Sequence, residues 1–186
     1  MGVFDVNATK LIYVVAEEFK KNGFKQPEWV DFVKTGMSRE RAPKRRDWYF
    51  VRMASILYRL HKEGSLGTGS LRTYYGGRKN RGTQMHHFYR ASGKIIRTCL
   101  QELEKQGLVK KAAKGRAITG KGQKILNEKS KIVEKLIEEE EKQKALREET
   151  KRKSEGERKV KQELRRLEEE KKKHGKKEVK EKGEKE

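Results

Sequence analysis

The stretch from Trp48 to Leu60 constrains the fold most, because it is apolar on almost every side of a helix. Apolar or aromatic residues fill nearly every position: Trp48, Tyr49, Phe50, Val51, Met53, Ala54, Ile56, Leu57, Tyr58 and Leu60. A helix that is hydrophobic all round has to be covered by other helices. Asp47 is placed to cap it, and Glu63-Gly64 to end it. The chain therefore needs several more helices around this one.

Residues 92–122 predict the helix, strand, turn and strand that a winged helix-turn-helix requires. The apolar residues of the first part recur at intervals of three and four and form one helical stripe: Ile95, Ile96, Cys99, Leu100 and Leu103. Ser92 is placed to cap this helix, and Gly107 to end it in a left-handed conformation. Two short strands are predicted at Leu108-Val109 and Ala117–Thr119, on either side of a turn at residues 114–116.

Further helices precede and follow this core. The spacing of apolar residues predicts a helix over residues 8–19 and a second, short one over residues 27–36. A short helix through Leu71 and Tyr74 is the predicted first helix of the helix-turn-helix. We therefore predict a mainly α fold. It has a winged helix-turn-helix core with additional N-terminal helices, a short β-hairpin wing and a long charged C-terminal helix or tail.

The net positive charge is concentrated in the part of the chain that can fold. Charged residues make up 41% of the sequence, and the net charge is +21. Residues 1–130 carry 28 lysines and arginines against 11 aspartates and glutamates, whereas residues 131–186 carry 21 against 17. We predict two domains: a winged-helix-like, nucleic-acid-binding body over residues 1–130, and a highly charged, helical or disordered extension over residues 131–186. A body this basic indicates a polyanionic partner, either nucleic acid or an acidic membrane.

A basic connector provides the first candidates for phosphate contact. Residues 38–46 are predicted to be exposed and non-helical, and their cations are Arg39, Arg41, Lys44, Arg45 and Arg46. A solvated loop would explain the same cluster, but so many cations in so short a segment favour phosphate contact. Arg52 is a charge within the apolar helix. It either reaches the surface with its stem buried or contacts phosphate directly.

The loop GGRKNRG, residues 76–82, interleaves cations with aromatic residues. Guanidinium and ring planes stack on unpaired bases while ammonium groups hold phosphates, so this pattern suits RNA. The candidate contacts here are Tyr75, Arg78, Lys79, Arg81, His86 and Arg90. We expect Tyr74 and Phe88 in the core. His86 and His87 have no cysteine or carboxylate at ligand spacing, so a metal site ranks far below RNA contact.

The predicted helix-turn-helix adds four more candidates. The first half of its second helix carries Lys94 and Arg97 on the polar face, and the turn between the strands carries Lys114 and Arg116. In a helix-turn-helix, the first half of the second helix meets the nucleic acid. These cations are therefore predicted contacts.

Other classes of function are disfavoured. The single cysteine, Cys99, lies on the apolar stripe and is expected to be a buried small hydrophobe in an intracellular protein. No stretch approaches the roughly 18 apolar residues of a membrane span. The carboxylates of the body are scattered, unlike the clusters of metal-dependent nucleases, and the glycines of residues 64–77 lack a Gly-Lys-Ser/Thr ending. We expect no enzymatic activity, cofactor, metal, membrane partner or small-molecule substrate.

Several blocks of the body resemble a known family. In order, from about Phe4 to Ile132, they are PEWVDFVK, AP before DWYFVRMAS, GTGS, YYGGRKNRG, HHFYRASG, LQELEKQGLV and GRAITGKG. They closely resemble the family of ribosomal protein 19 of the small subunit, of the eukaryotic and archaeal type (19e family). The YGGR-x-x-RG block is specific to it. The resemblance does not extend beyond about Lys142.

The resemblance implies an α-helical fold with a winged-helix core. It also implies a place in the head of the small ribosomal subunit in the cytoplasm, bound to small-subunit rRNA and beside other small-subunit ribosomal proteins. In eukaryotes the family is needed for maturation of that rRNA. The family's basic, RNA-facing positions correspond here to Arg52, Arg78, Arg81, Arg90 and Arg116.

The alternative function is that of a dimeric winged-helix transcription regulator that binds DNA. Such a protein would concentrate positive charge on one helix and the wing, and it would need an apolar dimer surface. Here the cations are spread over the connector, the loop and the second helix of the motif. We therefore favour a structural protein that binds rRNA.

Overall fold

The helix predicted from the Trp48–Leu60 stretch is the centre of the core. In the computed structural model, which describes residues 2–183 and the side chains of residues 2–148 and 150–152, this helix is α2 (Trp48–Glu63). Its buried residues are Tyr49, Phe50, Met53, Ala54, Ile56, Leu57 and Leu60. Helix α1 (Ala8–Lys21) and helix α4 (Gly93–Lys105) pack against it. Each fully buried aliphatic side chain contributes about 1.5–3 kcal/mol of transfer free energy.

The fold is mainly α, as predicted. A 3₁₀ helix (Glu28–Phe32) follows α1, and a short helix α3 (Thr68–Tyr74) follows α2. Helix α5 (Gly120–Gly183) ends the described chain. Asn7 caps α1, because its side-chain oxygen accepts hydrogen bonds from the backbone N–H groups of Thr9 and Lys10.

A small antiparallel sheet accompanies the helices. Strand β1 (Ser65–Leu66) pairs with β5 (Gly115–Ile118), which pairs with β4 (Val109–Ala112), in the order β1-β5-β4. Gly115 has φ 98°, and a Cβ atom there would collide with the carbonyl oxygen of Leu66, so only glycine fits. The predicted order of helix, strand, turn and strand over residues 92–122 is observed. Its assignment as a winged helix-turn-helix stays our interpretation of that order.

A second pair of strands occupies the segment that the sequence predicted as a basic loop. Strand β2 (Gly77–Arg81) pairs with strand β3 (Gln84–Tyr89) in an antiparallel hairpin. The prediction of a loop was wrong for a physical reason. Nearly all of the hairpin's side chains are exposed, so β2 and β3 lack the alternation of apolar and polar residues that marks a strand with one buried face.

The chain divides into two units, Met1–Lys135 and Leu136–Glu186. In the first unit, the beginning of α5 buries Leu126 and Val133, and Lys129 pairs with Glu18 of α1 at 3.1 Å. In the second unit, α5 continues as a helix on which Leu136 and Leu146 are exposed. Within residues 2–183, we find no helix with the length and apolar character needed to span a membrane.

Candidate nucleic-acid interface

A basic cleft lies beside the N-terminal half of α2. Its volume is about 480 Å³. The cations that line it are Arg39, Arg41, Lys44, Arg45 and Arg52, and the aromatic rings are Tyr13, Trp48 and Tyr75. None of the described residues that line it is acidic. The connector, residues 38–46, forms one side of this cleft and is non-helical and mostly exposed, as predicted.

Arg52 is stacked on an aromatic ring inside the cleft. Its guanidinium carbon lies 3.9 Å from the centroid of the Tyr75 ring. The Tyr75 hydroxyl shares a hydrogen bond of 2.7 Å with Ser55 Oγ, which fixes the ring. Burial lowers the pKa of Arg52 from its ordinary value, the Tyr75 ring opposes that change, and the nearby Arg39 adds to it. In the described part of the chain, no carboxylate pairs with this desolvated cation.

Arg45 differs from Arg52 because the chain neutralises it. Its Nε and Nη2 donate to the two carboxylate oxygens of Asp47 at 3.1 and 2.8 Å, and its guanidinium lies 4.7 Å from the Tyr13 ring centroid. The carboxylate raises the pKa of Arg45, and the guanidinium lowers the pKa of Asp47. Asp47 was predicted to cap α2, but it makes no side-chain cap hydrogen bond there. The arginine two residues before it takes the carboxylate instead.

The other predicted residue of the connector, Arg46, does not line this cleft. It is exposed and lines a neighbouring cleft of about 380 Å³ that also contains Asp31. A carboxylate in that cleft makes it a weaker site for an anion. Lys44 and Arg45 line both clefts, so Arg46 adjoins the basic cleft without lining it.

The hairpin presents a cation beside an aromatic ring on each of its faces. Arg78 lies opposite Phe88, and Lys79 lies opposite His87. Directly opposed residues share a face of an antiparallel pair. On the second face, Lys79 Nζ lies 5.5 Å from the Tyr89 ring centroid. Both faces can therefore offer a positive charge and a ring to the same partner.

The tip of the hairpin is held by a side chain. Asn80 Oδ1 accepts a hydrogen bond of 3.0 Å from the Gly82 N–H, and Gly82 has φ 71°. The register shifts between Lys79 and Arg81, which pairs with Gln84. Arg81 and His86 are exposed, and Arg90 is exposed just after β3 ends. Arg78, Lys79 and Arg81 thus lie on β2 and not on a loop, and their role as RNA contacts stays a prediction.

Two aromatic residues that we expected in the core lie at the surface. Phe88 is 50% exposed and Tyr74 is 53% exposed. Phe88 lies on the hairpin, and most of the side chains of β2 and β3 are exposed. The Tyr74 ring contacts Tyr75, at 4.9 Å between ring centroids, and Arg59, whose guanidinium lies 4.0 Å from the ring centroid and also pairs with Glu63. The prediction for both residues was wrong.

The base of the hairpin adjoins the connector. A Cβ atom at Gly77 would lie 3.4 Å from Ser38 Oγ and 4.0 Å from a terminal nitrogen of Arg39. The carbonyl of Ala91 accepts a hydrogen bond of 3.1 Å from Arg72 Nε, and Gly36 forms a β-bridge with Ala91. The fold thus brings the connector and β2 together, so that the basic cleft and the hairpin form one cationic surface.

The candidates on α4 and on the β4–β5 pair form a separate group. Lys94 and Arg97 are exposed on α4, as predicted, and Lys114 is exposed in the turn. Arg116 is partly buried, and its Nε donates to Glu104 at 3.2 Å. Arg116 is therefore already neutralised within the chain, in contrast to Arg52.

Sequence reasoning missed two residues of the cleft. Trp48 was assigned only to the core, and Tyr13 was not considered. Both are partly exposed and line the cleft. Tyr13 lies off the buried stripe of α1, and an aromatic residue with a polar hydroxyl on the other face of an amphipathic helix was the signal available in the sequence. Among the described residues, no group of three His, Cys, Asp or Glu side chains could hold a metal ion.

Comparison with known proteins finds one family over the body. The sequence model of ribosomal protein S19e matches residues 2–139. Small ribosomal subunit protein eS19 of Thermoplasma acidophilum is 41% identical over 130 residues, which is 69% of this chain and 87% of that protein. The eS19 protein of Aeropyrum pernix is 42% identical over 142 residues, 74% of this chain and 93% of that protein. The eS19 protein of Mya arenaria is 43% identical over 129 residues, which is 68% of this chain and 87% of that protein.

Proposed function

The chain belongs to the ribosomal protein S19e family, and we propose that it is a structural component of the small ribosomal subunit that binds rRNA. Its relatives are named as proteins of that subunit, which is cytoplasmic. The proposed contact surface consists of the basic cleft and the β2–β3 hairpin. Neighbouring proteins of the subunit are the other proposed partners, and the proposal includes no catalytic step.

The state of Arg52 is the observation that carries the proposal. Arg52 is desolvated, close to Arg39 and without a carboxylate partner among the described residues, and such a cation is costly in the free protein. A phosphate oxygen placed in the cleft would offset that cost with a charge-assisted hydrogen bond. The stack on Tyr75 holds the guanidinium in one orientation before the phosphate arrives, which reduces the entropy lost on binding.

The rings favour folded RNA over duplex DNA as the source of that phosphate. Tyr13, Trp48 and Tyr75 line the same cleft as the cations, and Phe88 lies exposed beside Arg78 on the hairpin. Rings can stack on bases only where the bases are unpaired, as in the loops and bulges of rRNA. The cations then hold the backbone that connects those bases.

A DNA-binding winged-helix regulator is the second candidate, and the observed order of α3, α4, β4 and β5 favours it. It would use α4 and the β4–β5 turn as its contact surface. However, Arg116 beside that turn is paired with Glu104, and Lys111 of β4 also approaches the same carboxylate at 3.7 Å. Among the described residues, that surface keeps the exposed cations Lys94, Arg97 and Lys114, whereas the cleft and the hairpin combine a larger group of cations with aromatic rings.

Binding of the full chain to a folded fragment of small-subunit rRNA and to duplex DNA, over a series of salt concentrations, tests the proposal. The double variant Arg78→Ala/Arg81→Ala should weaken rRNA binding. It should also reduce the log–log salt slope by about 0.7 for each phosphate of an unpaired strand that the two arginines neutralise. The variant Lys62→Ala/Lys124→Ala removes two exposed cations that lie outside the cleft and the hairpin. This control should change the affinity for rRNA and the log–log salt slope less than the double arginine variant does.

Two outcomes would contradict the proposal. In one, the double arginine variant and the lysine control behave alike, which would mean that only net charge matters. In the other, the chain prefers a specific duplex DNA to rRNA at moderate salt, which would favour the regulator. A role in maturation of small-subunit rRNA belongs to the same proposal. Loss of the protein should then lead to accumulation of precursor rRNA.

A further inference from the structure

A second, mainly apolar groove lies between the 3₁₀ helix and the beginning of α4. Its volume is about 380 Å³, and it shares no lining residue with the basic cleft. Its apolar walls are formed by Trp29, Phe32, Val33 and Ile95, and its cations are Lys34 and Lys94. Of the residues that line this groove, the sequence analysis used only Lys94 as a predicted contact, and it assigned Trp29 and Phe32 only to a short apolar helix.

Phe32 is exposed to an extent that packing does not explain. Its side chain is 88% exposed, whereas Val30, two residues before it, is 1% exposed. Val30 therefore anchors the 3₁₀ helix in the core, and Phe32 contributes almost nothing to that core. The exposed ring adjoins the apolar walls of the groove, and it is such a contiguous apolar surface, rather than a single exposed residue, that marks a binding surface.

The two sides of the groove are tied to each other by backbone contacts. The Ser92 N–H donates a hydrogen bond of 3.0 Å to the Thr35 carbonyl, and Gly36 forms a β-bridge with Ala91. On the inner side, Trp29 packs edge-on against Tyr49 with 6.4 Å between ring centroids. The groove is therefore formed before any partner binds, so binding would require little ordering.

The charges of the groove select an anionic partner. Lys34 and Lys94 are both exposed, and no described residue that lines the groove is acidic. Lys94 Nζ lies 5.3 Å from the Trp29 ring centroid, which holds an ammonium group directly over the apolar floor. A flat apolar group attached to a phosphate fits this combination of an exposed ring, an apolar floor and two ammonium groups.

We propose that this groove binds one unpaired nucleotide of RNA, with its base stacked on Phe32 and its phosphate at Lys34 and Lys94. The proposal rests on the proposed function, because it takes the partner to be rRNA. A protein segment with apolar and acidic side chains is the other possible occupant. The net charge of +21 and the pairing of rings with lysines favour the nucleotide.

Conservative changes at Phe32 distinguish a base from an apolar side chain. The probe is a single-stranded oligoribonucleotide of about ten nucleotides with 2-aminopurine at its centre, titrated with the full chain. Phe32→Tyr keeps the ring and should keep affinity and fluorescence quenching. Phe32→Leu keeps apolar surface but removes the ring, and it should reduce affinity by about five-fold or more and abolish most of the quenching. Because Phe32 is exposed, neither change should alter folding.

A variant of the lysine tests the phosphate half of the proposal. Lys94→Gln should lower affinity for the same oligonucleotide and reduce the log–log salt slope by about 0.7. If Phe32→Leu binds as tightly as the unchanged chain, base stacking is refuted. If Phe32→Leu binds the oligonucleotide as tightly as the unchanged chain while Phe32→Ala binds it more weakly, Phe32 makes an apolar contact and not a base stack, and the proposal is overturned.

The same variants with folded small-subunit rRNA separate this proposal from the proposed function. Arg52→Gln reports on the basic cleft, and Phe32→Leu reports on the groove. Weaker binding by both supports both sites. Weaker binding by Arg52→Gln alone overturns the groove and leaves the proposed function intact. If neither change has an effect, the proposed contact surface itself is wrong.

Discussion

Replacing Arg52 by methionine should have opposite effects on the free protein and on its complex with RNA. The guanidinium is stacked 3.9 Å from the centroid of the Tyr75 ring, and burial lowers the pKa of Arg52. Methionine keeps much of the length and apolar contact of the arginine stem but removes the charge. We therefore expect the free protein to keep its stability and the affinity for rRNA to fall.

The magnitudes follow from the contacts of Arg52. The stack on Tyr75 is worth about 0.5–2 kcal/mol. The variant loses this stack, but it also removes a charge that burial and the neighbouring Arg39 both disfavour, as the lowered pKa of Arg52 indicates. The free energy of unfolding should therefore change by less than about 1 kcal/mol. A charge-assisted hydrogen bond to phosphate contributes about 1.5–3 kcal/mol, so affinity should fall by about 10- to 150-fold.

Two assays on the full chain measure these effects. Denaturant unfolding can be followed by the fluorescence of Trp29 and Trp48, the two tryptophans of the chain. Binding to a folded fragment of small-subunit rRNA is measured over a salt series, with Arg52→Lys as the control that keeps the charge. A loss of several kcal/mol of unfolding free energy, with unchanged affinity of the folded fraction, would refute the reasoning and make Arg52 a structural residue.

Three further predictions concern the fold around the interface. A Cβ at Gly76 would lie 2.6 Å from Phe88 Cζ and 2.8 Å from the Tyr89 carbonyl oxygen. Gly76→Ala should therefore cost about 1–3 kcal/mol in thermal unfolding, and the less crowded Gly77→Ala should cost less. Trp48→Ala should lower the unfolding free energy by less than the roughly 3–5 kcal/mol of a fully buried site, and a full-sized loss would contradict its partial exposure. Burial raises the pKa of Tyr75 to about 12, so its contribution to stability should be intact below pH 10 and lost towards pH 12. In Tyr75→Phe, the free energy of unfolding should therefore fall less between pH 10 and pH 12 than it does in the unchanged chain.

Periodic apolar patterns predicted the part of this fold that is built from buried stripes. The stripe of α4 is buried as expected, including Cys99, whose pKa burial raises to about 12. Gly107 ends that helix with φ 70°, as a left-handed cap requires. These predictions succeeded because burial and helical spacing act within a few residues of sequence. Ser92 stands at the N-terminal cap position of α4 as predicted, but its side chain makes no cap hydrogen bond there.

Features that depend on distant partners were not predictable from the sequence. Asp47 was placed correctly at the beginning of α2, but Arg45 competes for its carboxylate and removes the cap. The hairpin was missed because its pairing buries no face, and Phe88 was misplaced for the same reason. The alternation of apolar and polar residues marks a strand only when one of its faces is buried. A strand that is exposed on both faces therefore leaves no such pattern in the sequence.

The same limit applies to charge, and it explains why a count of cations does not define the interface. In a chain with net charge +21 almost any surface looks suitable for RNA. The fold separates these cations into two kinds. Arg45 and Arg116 have carboxylate partners within the chain, whereas Arg52 is desolvated and has none in the described part.

A paired arginine would have to break an existing ion pair before it could bind phosphate, so its net gain is small. An unpaired, partly buried arginine gains the full interaction and is also relieved of the cost of its own burial. The free energy of RNA binding should therefore depend on Arg52 and the hairpin far more than on Arg45 or Arg116, although all of them carry the same formal charge. This difference between chemically identical side chains arises only when the chain folds.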